Sequence, residues 1–238
     1  MASVRIVGPG RAGRSLAGAL AAVGWEVAPL LGRGDDPTGA AGGVDALVVA
    51  TPDAAVAAVA AAVRPVASCV VLHLSGALGP GVLAPHPRRG ALHPLVPLPD
   101  PGTGAGRLLG GVTFAVAGDP LARDLAAALG GRAVEVADDR RAGYHAAATV
   151  AANHVVATLG QVARLAEAAG LELEDFLPLA RAALDDVARR GPEAALTGPV
   201  ARSDWSTVAR HLAALPPDEH AGYLGGVALA LRLAGGDC

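Results

Sequence analysis

Gly8-Pro9-Gly10-Arg11-Ala12-Gly13 follows directly on the apolar run Val4-Arg5-Ile6-Val7 and opens a stretch of helix formers. No other feature of the chain constrains its fold as much, because G-x-G-x-x-G gains meaning only between a strand and a helix. Each glycine has its own physical use. Gly8 permits a tight turn, Gly10 lets the backbone approach a pyrophosphate, and Gly13 lets the helix lie close to the strand. The helix that begins here points unpaired N–H groups at an anion. Gly8, Pro9, Gly10, Arg11, Ala12 and Gly13 are therefore expected to surround the phosphates of a bound dinucleotide.

The residues about twenty positions further on choose between dinucleotides. An acid at the end of the second strand binds ribose hydroxyls, whereas a cation accommodates a 2′-phosphate. The second strand signal ends Leu30-Leu31-Gly32-Arg33-Gly34. Arg33 thus predicts NADP (NADPH) as cofactor. Thr51-Pro52-Asp53 ends the third strand signal and is expected beside the cofactor; it also makes a strand stop and helix cap without any function.

Strand and helix signals alternate over the first half. Short β-rich runs stand at 4–7, 26–31, 46–50, 69–74, 112–116 and 133–136, with helical patterns at 11–23, 54–63 and 123–129. Near-continuous apolar strands between helices predict an α/β fold, a Rossmann doubly wound parallel sheet covered on both faces. Residues 79–111 turn rich in Pro and Gly and read as long loop with one short turn of helix. Beyond residue 137 the strand signals stop. Helical patterns run over 142–169, 176–190, 205–214 and 218–233, so residues 1–137 read as the nucleotide-binding domain and 138–238 as an all-helical C-terminal domain for substrate and dimerisation.

Composition removes whole classes of function. The 238 residues are 52% hydrophobic and 17% charged, which excludes global disorder. A net charge of −3 gives no basic footprint for nucleic acid or anionic membrane. All 19 basic residues are arginine, which rules out lysine Schiff-base chemistry and a P-loop. Cys69 and Cys238 have no metal or disulfide spacing, so no metal site is expected. The longest apolar stretch, 44–63, is interrupted by Asp45, Pro52 and Asp53. With no leader pattern at the N-terminus, a cytoplasmic protein is expected.

In a doubly wound sheet, ligands lie at the carboxyl ends of the strands. Ser75, in His73-Leu74-Ser75-Gly76, and His93, in His93-Pro94-Leu95, are candidate catalytic groups there. In the first helix of the second domain, His145, Thr149 and Asn153 are spaced four apart and share one face of an unbroken helix. His145 and Asn153 are candidate catalytic residues and Thr149 a substrate contact. A second polar island, 195–204, contributes Thr197, Arg202 and Asp204. Arg202 can clamp a carboxylate, and Asp204 can equally cap the following helix.

The glycine turn, Thr51-Pro52-Asp53, His73-Leu74-Ser75-Gly76, His93-Pro94-Leu95, Tyr144-His145-Ala146-Ala147-Ala148 and Leu196-Thr197-Gly198-Pro199-Val200-Ala201-Arg202 occur in this order over nearly the whole chain. Together they resemble a bacterial family with a Rossmann-like domain and a helical C-terminal domain of unknown function. That family lies in the 6-phosphogluconate dehydrogenase-like superfamily, beside ketopantoate reductase, prephenate dehydrogenase and pyrroline-carboxylate reductase. The resemblance implies an NADPH-dependent oxidoreductase acting on a small 2-keto acid, with ketopantoate, in pantothenate biosynthesis, the first substrate to consider. Prephenate-dehydrogenase-like or imine reductase activity, and a non-catalytic NADP-binding sensor or scaffold, are the alternatives. Reductases of that superfamily place a lysine four residues before an asparagine on this helix; here Thr149 stands four before Asn153. Asn153 is then expected to orient the carbonyl and His145 to supply the proton. Relatives also imply a homodimer formed through the helical domain.

Overall fold

The computed structural model describes residues 2–235; Cys238 lies outside them. The chain divides into two compact units, the first ending at Thr149 and the second beginning at Val150. Strand signals end near 137, which set the sequence-derived boundary. The break falls later, and the helix carrying Tyr144 stays with the first unit, where Tyr144 is hydrogen-bonded to His93.

In the first unit, β1 (Ser3–Val7), β2 (Glu26–Val27), β3 (Ala46–Val49), β4 (Val70–His73), β5 (Arg89–Pro94), β6 (Thr113–Gly118) and β7 (Arg132–Glu135) form one sheet in the order β2-β1-β3-β4-β5-β6-β7. Helices α1 (Arg11–Ala22), α2 (Asp53–Ala62), α3 (Pro101–Leu108), α4 (Leu121–Ala128) and α5 (Arg141–Thr149) complete it. The chain leaves β1 for β2 on one side and returns as β3 on the other. The crevice of a doubly wound sheet therefore lies beyond the carboxyl ends of β1 and β3. The register runs level through Val7, Val49, His73, Ala91 and Ala117, and β5 continues past that line to His93 and Pro94.

Strand residues alternate between two cores. Val4, Ile6, Val48, Leu72, Leu92 and Phe114 pack with Leu16 and Leu20 of α1, Leu108 of α3 and Leu125 of α4. Val7, Leu47, Val49 and Val71 pack with Val56 and Ala60 of α2. All four residues of β3 are buried, as its unbroken apolar run requires.

Two expectations change. The sheet is not wholly parallel: β5 pairs antiparallel with β6. Residues 79–111 hold more than a loop with one short helical turn. They hold a 3-10 turn (Pro80–Leu83), β5, and α3, which Asp100 caps by accepting from Thr103 N at 2.9 Å. The local sequence of β5 reads as loop because prolines flank it, and it becomes a strand because β4 and β6 supply partners on both sides. Gly90 permits this, since a Cβ there would stand 2.8 Å from Ala117 O and 2.9 Å from Leu72 Cδ2.

The second unit is helical among its described residues: α6 (Val155–Ala168), α7 (Leu173–Arg190), α8 (Pro192–Ala195), α9 (Trp205–Ala214) and α10 (His220–Leu233). Glu172 and Asp175 form a capping box at the start of α7. Glu219 is buried and held by both Nε and Nη2 of Arg164. The single long helix expected over 142–169 is instead α5, a π-helical segment (Val150–His154) and α6. The shared face of His145, Thr149 and Asn153 presupposed unbroken α-helical winding, so it no longer follows. Single π turns inside helices occur often at functional sites.

Candidate functional site

The glycine turn uses each glycine differently. Gly8 sits at φ +107°, and a Cβ there would stand 2.6 Å from Ala50 O. A Cβ on Gly13 would run into Gly8 O, which is why α1 starts close under the turn. A Cβ on Gly10 would meet nothing within 4 Å. Gly10 is also the N-cap of α1 and offers no side chain to its first amides, which therefore remain free for an anion. Gly8 N donates to Leu31 O at 2.9 Å, tying the turn to the segment that carries Arg33.

Arg11 and Arg33 are exposed near this turn, and neither enters an ion pair among the described residues. Arg14 Nε donates to Pro9 O at 2.7 Å. Asp35, which sequence reasoning passed over, folds back so that Gly32 N donates to its Oδ2 at 2.6 Å. Thr51 Oγ1 is buried at the end of β3 with no hydrogen-bond partner among the described residues. Open space at Gly10, uncapped amides and an orphaned hydroxyl at the switch point all fit a bound dinucleotide.

A polar cluster lies on the same edge of the sheet. Ser75 Oγ donates to Asp53 Oδ2 at 2.7 Å and accepts from Ala77 N and Leu78 N, both at 3.2 Å. One donor and two lone pairs are thereby used, so Ser75 pins the loop after β4 to the start of α2 and has no proton to spare. Asp53, in the first turn of α2, is that loop's anchor; Pro52 stands at the N-cap. His73 is buried. Its Nδ1 accepts from Ser75 N at 3.2 Å, and its Nε2 lies 3.3 Å from Gly79 O.

His93 lies in β5, not in a loop. Its Nδ1 shares a 2.6 Å hydrogen bond with the Tyr144 hydroxyl, and the rings stand edge to face with centroids 5.7 Å apart. The His145 ring also meets it edge-on, at 6.0 Å. Gly76 makes room for both histidines: a Cβ there would be 2.7 Å from His145 Cδ2 and 2.9 Å from His93 Cε1. Burial, then the charges of His145 and Arg141, press the His93 pKa down to about 4. Burial raises Tyr144 to about 12. At neutral pH His93 is therefore uncharged and Tyr144 keeps its proton. Tyr144 is a residue of this cluster that sequence reasoning did not assign to the site; its signs there are adjacency to His145 and a place in the Tyr144-His145-Ala146-Ala147-Ala148 motif. It also lines an open cleft of about 600 Å³ with Ala117, Glu135, Val136, Asp139 and Arg140.

Thr149 ends α5. Asn153 lies in the π segment and is exposed, as are Thr197 and Arg202. Asp204 caps α9: its Oδ1 accepts from Thr207 N at 3.1 Å and its Oδ2 from Thr207 Oγ1 at 2.7 Å. These bonds and one from Ser206 hold its pKa near 2, so a structural role accounts for this residue. Among the described residues no group of three or more His, Cys, Asp or Glu is placed to hold a metal ion. No described helix is long and apolar enough to cross a membrane.

Residues 111–226 match the family described as Domain of unknown function (DUF2520). No curated protein matches. Solved structures share the fold over almost the entire chain. Protein TM1727 from Thermotoga maritima has a TM-score of 0.74 at 20% identity, with 98% of each chain covered. BF3122 from Bacteroides fragilis, named as a candidate NADP oxidoreductase, has a TM-score of 0.78 at 18% identity, again over 98% of each chain. Pyrroline carboxylate reductase from Plasmodium falciparum with NADP bound has a TM-score of 0.65 at 14% identity, covering 98% of this chain and 97% of its own. The Rossmann-type fold of this chain is thus shared with these proteins.

Proposed function

We propose that this protein is an NADP-dependent oxidoreductase that reduces a small 2-keto acid, acting in the cytoplasm as a homodimer formed through the helical unit. One observation carries the reading: at the topological switch point the glycine turn leaves open space at Gly10, against uncapped helix amides. Arg11 and Arg33 would hold the phosphates, and Arg33 the 2′-phosphate in particular. A bound reduced nicotinamide supplies the two electrons of the reduction.

The protein's own part is to place the carbonyl and deliver a proton. Ser75 and His93 were both candidates. Ser75 is bound to Asp53, and His93 is uncharged with its Nδ1 engaged by Tyr144. His145 is then the proton donor we propose, with Thr149 of the same helix contacting substrate and ketopantoate among the first substrates to assay; the roles of Asn153, Thr197 and Arg202 toward substrate rest on the sequence pattern alone. The names of the neighbours favour a second reading within the same chemistry. The neighbours include a pyrroline carboxylate reductase and an imine reductase, so cyclic imines belong in the same panel.

The test is NADPH titration followed by NADPH oxidation against 2-keto acids and cyclic imines. Gly10→Val fills the open space and is expected to abolish NADPH binding while the fold, followed by circular dichroism, persists. His145→Ala is expected to lower kcat by about 10²–10⁴-fold with NADPH affinity unchanged. A well-folded Gly10→Val protein that still binds NADPH normally overturns the assignment.

A further inference from the structure

Arg141, in the first turn of α5, is buried without being satisfied. Its side chain is 1% exposed, and Nε, Nη1 and Nη2 all lack a hydrogen-bond partner among the described residues. Its ion-pair partner is Asp138, whose Oδ1 stands 3.4 Å from Nε, beyond good hydrogen-bond geometry. Asp138 is itself 65% exposed and belongs to a three-residue 3-10 turn, Asp138–Arg140. A guanidinium offers five N–H donors in a rigid fork that matches a carboxylate. Burying that fork without acceptors is costly, and a buried orphan of this kind points to a missing partner.

The surroundings say where such a partner would sit. The charge of Arg141 is felt by His73, His93 and Tyr144, so the fork lies beside the polar cluster. The loop after Ser75 touches the carboxylate end of the ion pair: a Cβ on Gly79 would stand 2.5 Å from the Asp138 carboxylate. Resting on the reductase reading, we infer that Arg141 receives the carboxylate of a small 2-oxo or 2-imino acid, and that Asp138 holds that carboxylate's place until it arrives.

Asp138 suits the part of an internal stand-in. It carries the functional group of the ligand, its contact is long, and its exposed turn lets it swing into water. An incoming carboxylate would accept two N–H bonds from the fork while Asp138 is released to solvent, with no covalent bond made or broken. A neutral ketone has nothing to exchange for Asp138. The site therefore selects acids, and it places their carboxylate at the start of α5 in the first unit.

The experiment uses the full-length protein, with oxalate, 2-oxobutyrate and uncharged butanone as probes followed by calorimetry, and NADPH affinity measured separately by fluorescence. Oxalate and 2-oxobutyrate are expected to bind and butanone not. Arg141→Met is expected to weaken oxalate by about 10- to 100-fold, the scale of lost charge-assisted hydrogen bonds, with NADPH affinity unchanged. Asp138→Asn removes the competing carboxylate and is expected to tighten oxalate several-fold. Unchanged oxalate affinity in folded Arg141→Met overturns the inference. If Arg141→Met does not fold, Asp138→Asn decides alone: tighter binding supports the exchange, and unchanged or weaker binding overturns it. Wild-type protein that binds NADPH but neither acid loses the Arg141 site and keeps the dinucleotide reading. Arg141-dependent oxalate binding without NADPH binding does the reverse.

Discussion

His93 ties the chemistry of the cluster to the stability of the fold. Its pKa near 4 lies below the value of about 6.5 that it has in an unfolded chain. Between these values the unfolded chain binds more protons, so the His93 contribution is complete above about pH 6.5 and is lost as pH falls toward 4. The loss is at most about 1.4 kcal/mol per pH unit. Burial moves His73 in the same direction. Thermal melts from pH 7.5 to 4.5 are expected to show Tm falling, and His93→Gln is expected to fall less steeply than wild type; parallel curves would mean that His93 titrates normally. Ser75 makes a different kind of prediction. Its buried hydroxyl satisfies Asp53 and two loop amides, so Ser75→Ala is expected to destabilise the protein by about 1–3 kcal/mol in urea unfolding. A proton donor without that structural duty would lower turnover and leave stability unchanged.

Among the elements, β5 does most to assemble the site. It carries His93 past the ends of β4 and joins the parallel half of the sheet to β6. Gly90 is where the strand passes between its neighbours, with Ala117 O and Leu72 Cδ2 both within 3 Å of a hypothetical Cβ. Backbone on one side cannot yield as a flexible side chain would. Gly90→Ala is therefore expected to cost about 1–3 kcal/mol, and to weaken the hydrogen bond between His93 and Tyr144, visible as a change in the His93 imidazole NMR signals. A neutral effect on both would show that the strand relaxes freely. The α1–α3 contact relies on the same economy of size: Gly18 faces Ala105, with a hypothetical Cβ 3.3 Å from Ala105 Cβ, and Gly104 lies against Ser15.

Over the whole molecule, the two units differ in how much apolar surface they bury. The first unit has two continuous cores. In the second, α7 and α10 have no fully buried residue, while Val156 is 70%, Leu179 68% and Leu229 64% exposed. Exposed apolar side chains that form one contiguous patch mark a surface that a partner covers. The homodimer we propose would cover it symmetrically, since a two-fold interface pairs one patch with itself. Light scattering is expected to give a dimer for the wild type and a monomer for Leu179→Glu with Leu229→Glu. A monomeric wild type at micromolar concentration refutes the dimer and leaves the fold untouched.

The sequence by itself determined whatever rests on neighbours along the chain. The strand–glycine–helix junction, the fully buried β3 and the helical second half follow from spacing and turn chemistry within about a dozen residues. Only the tertiary structure decided what depends on partners far along the chain. β5 is a strand because β4 and β6 flank it, although its own residues read as loop. His93 and Tyr144 meet across 51 residues of sequence, and Gly76 earns its place only because both histidines crowd over it. Ser75 reads in sequence as free to donate a proton, but Asp53, 22 residues earlier, holds its hydroxyl. The burial of Arg141 has no local signature at all. An arginine near a helix start is ordinarily solvated, and only tertiary packing takes the charge of Arg141 out of water.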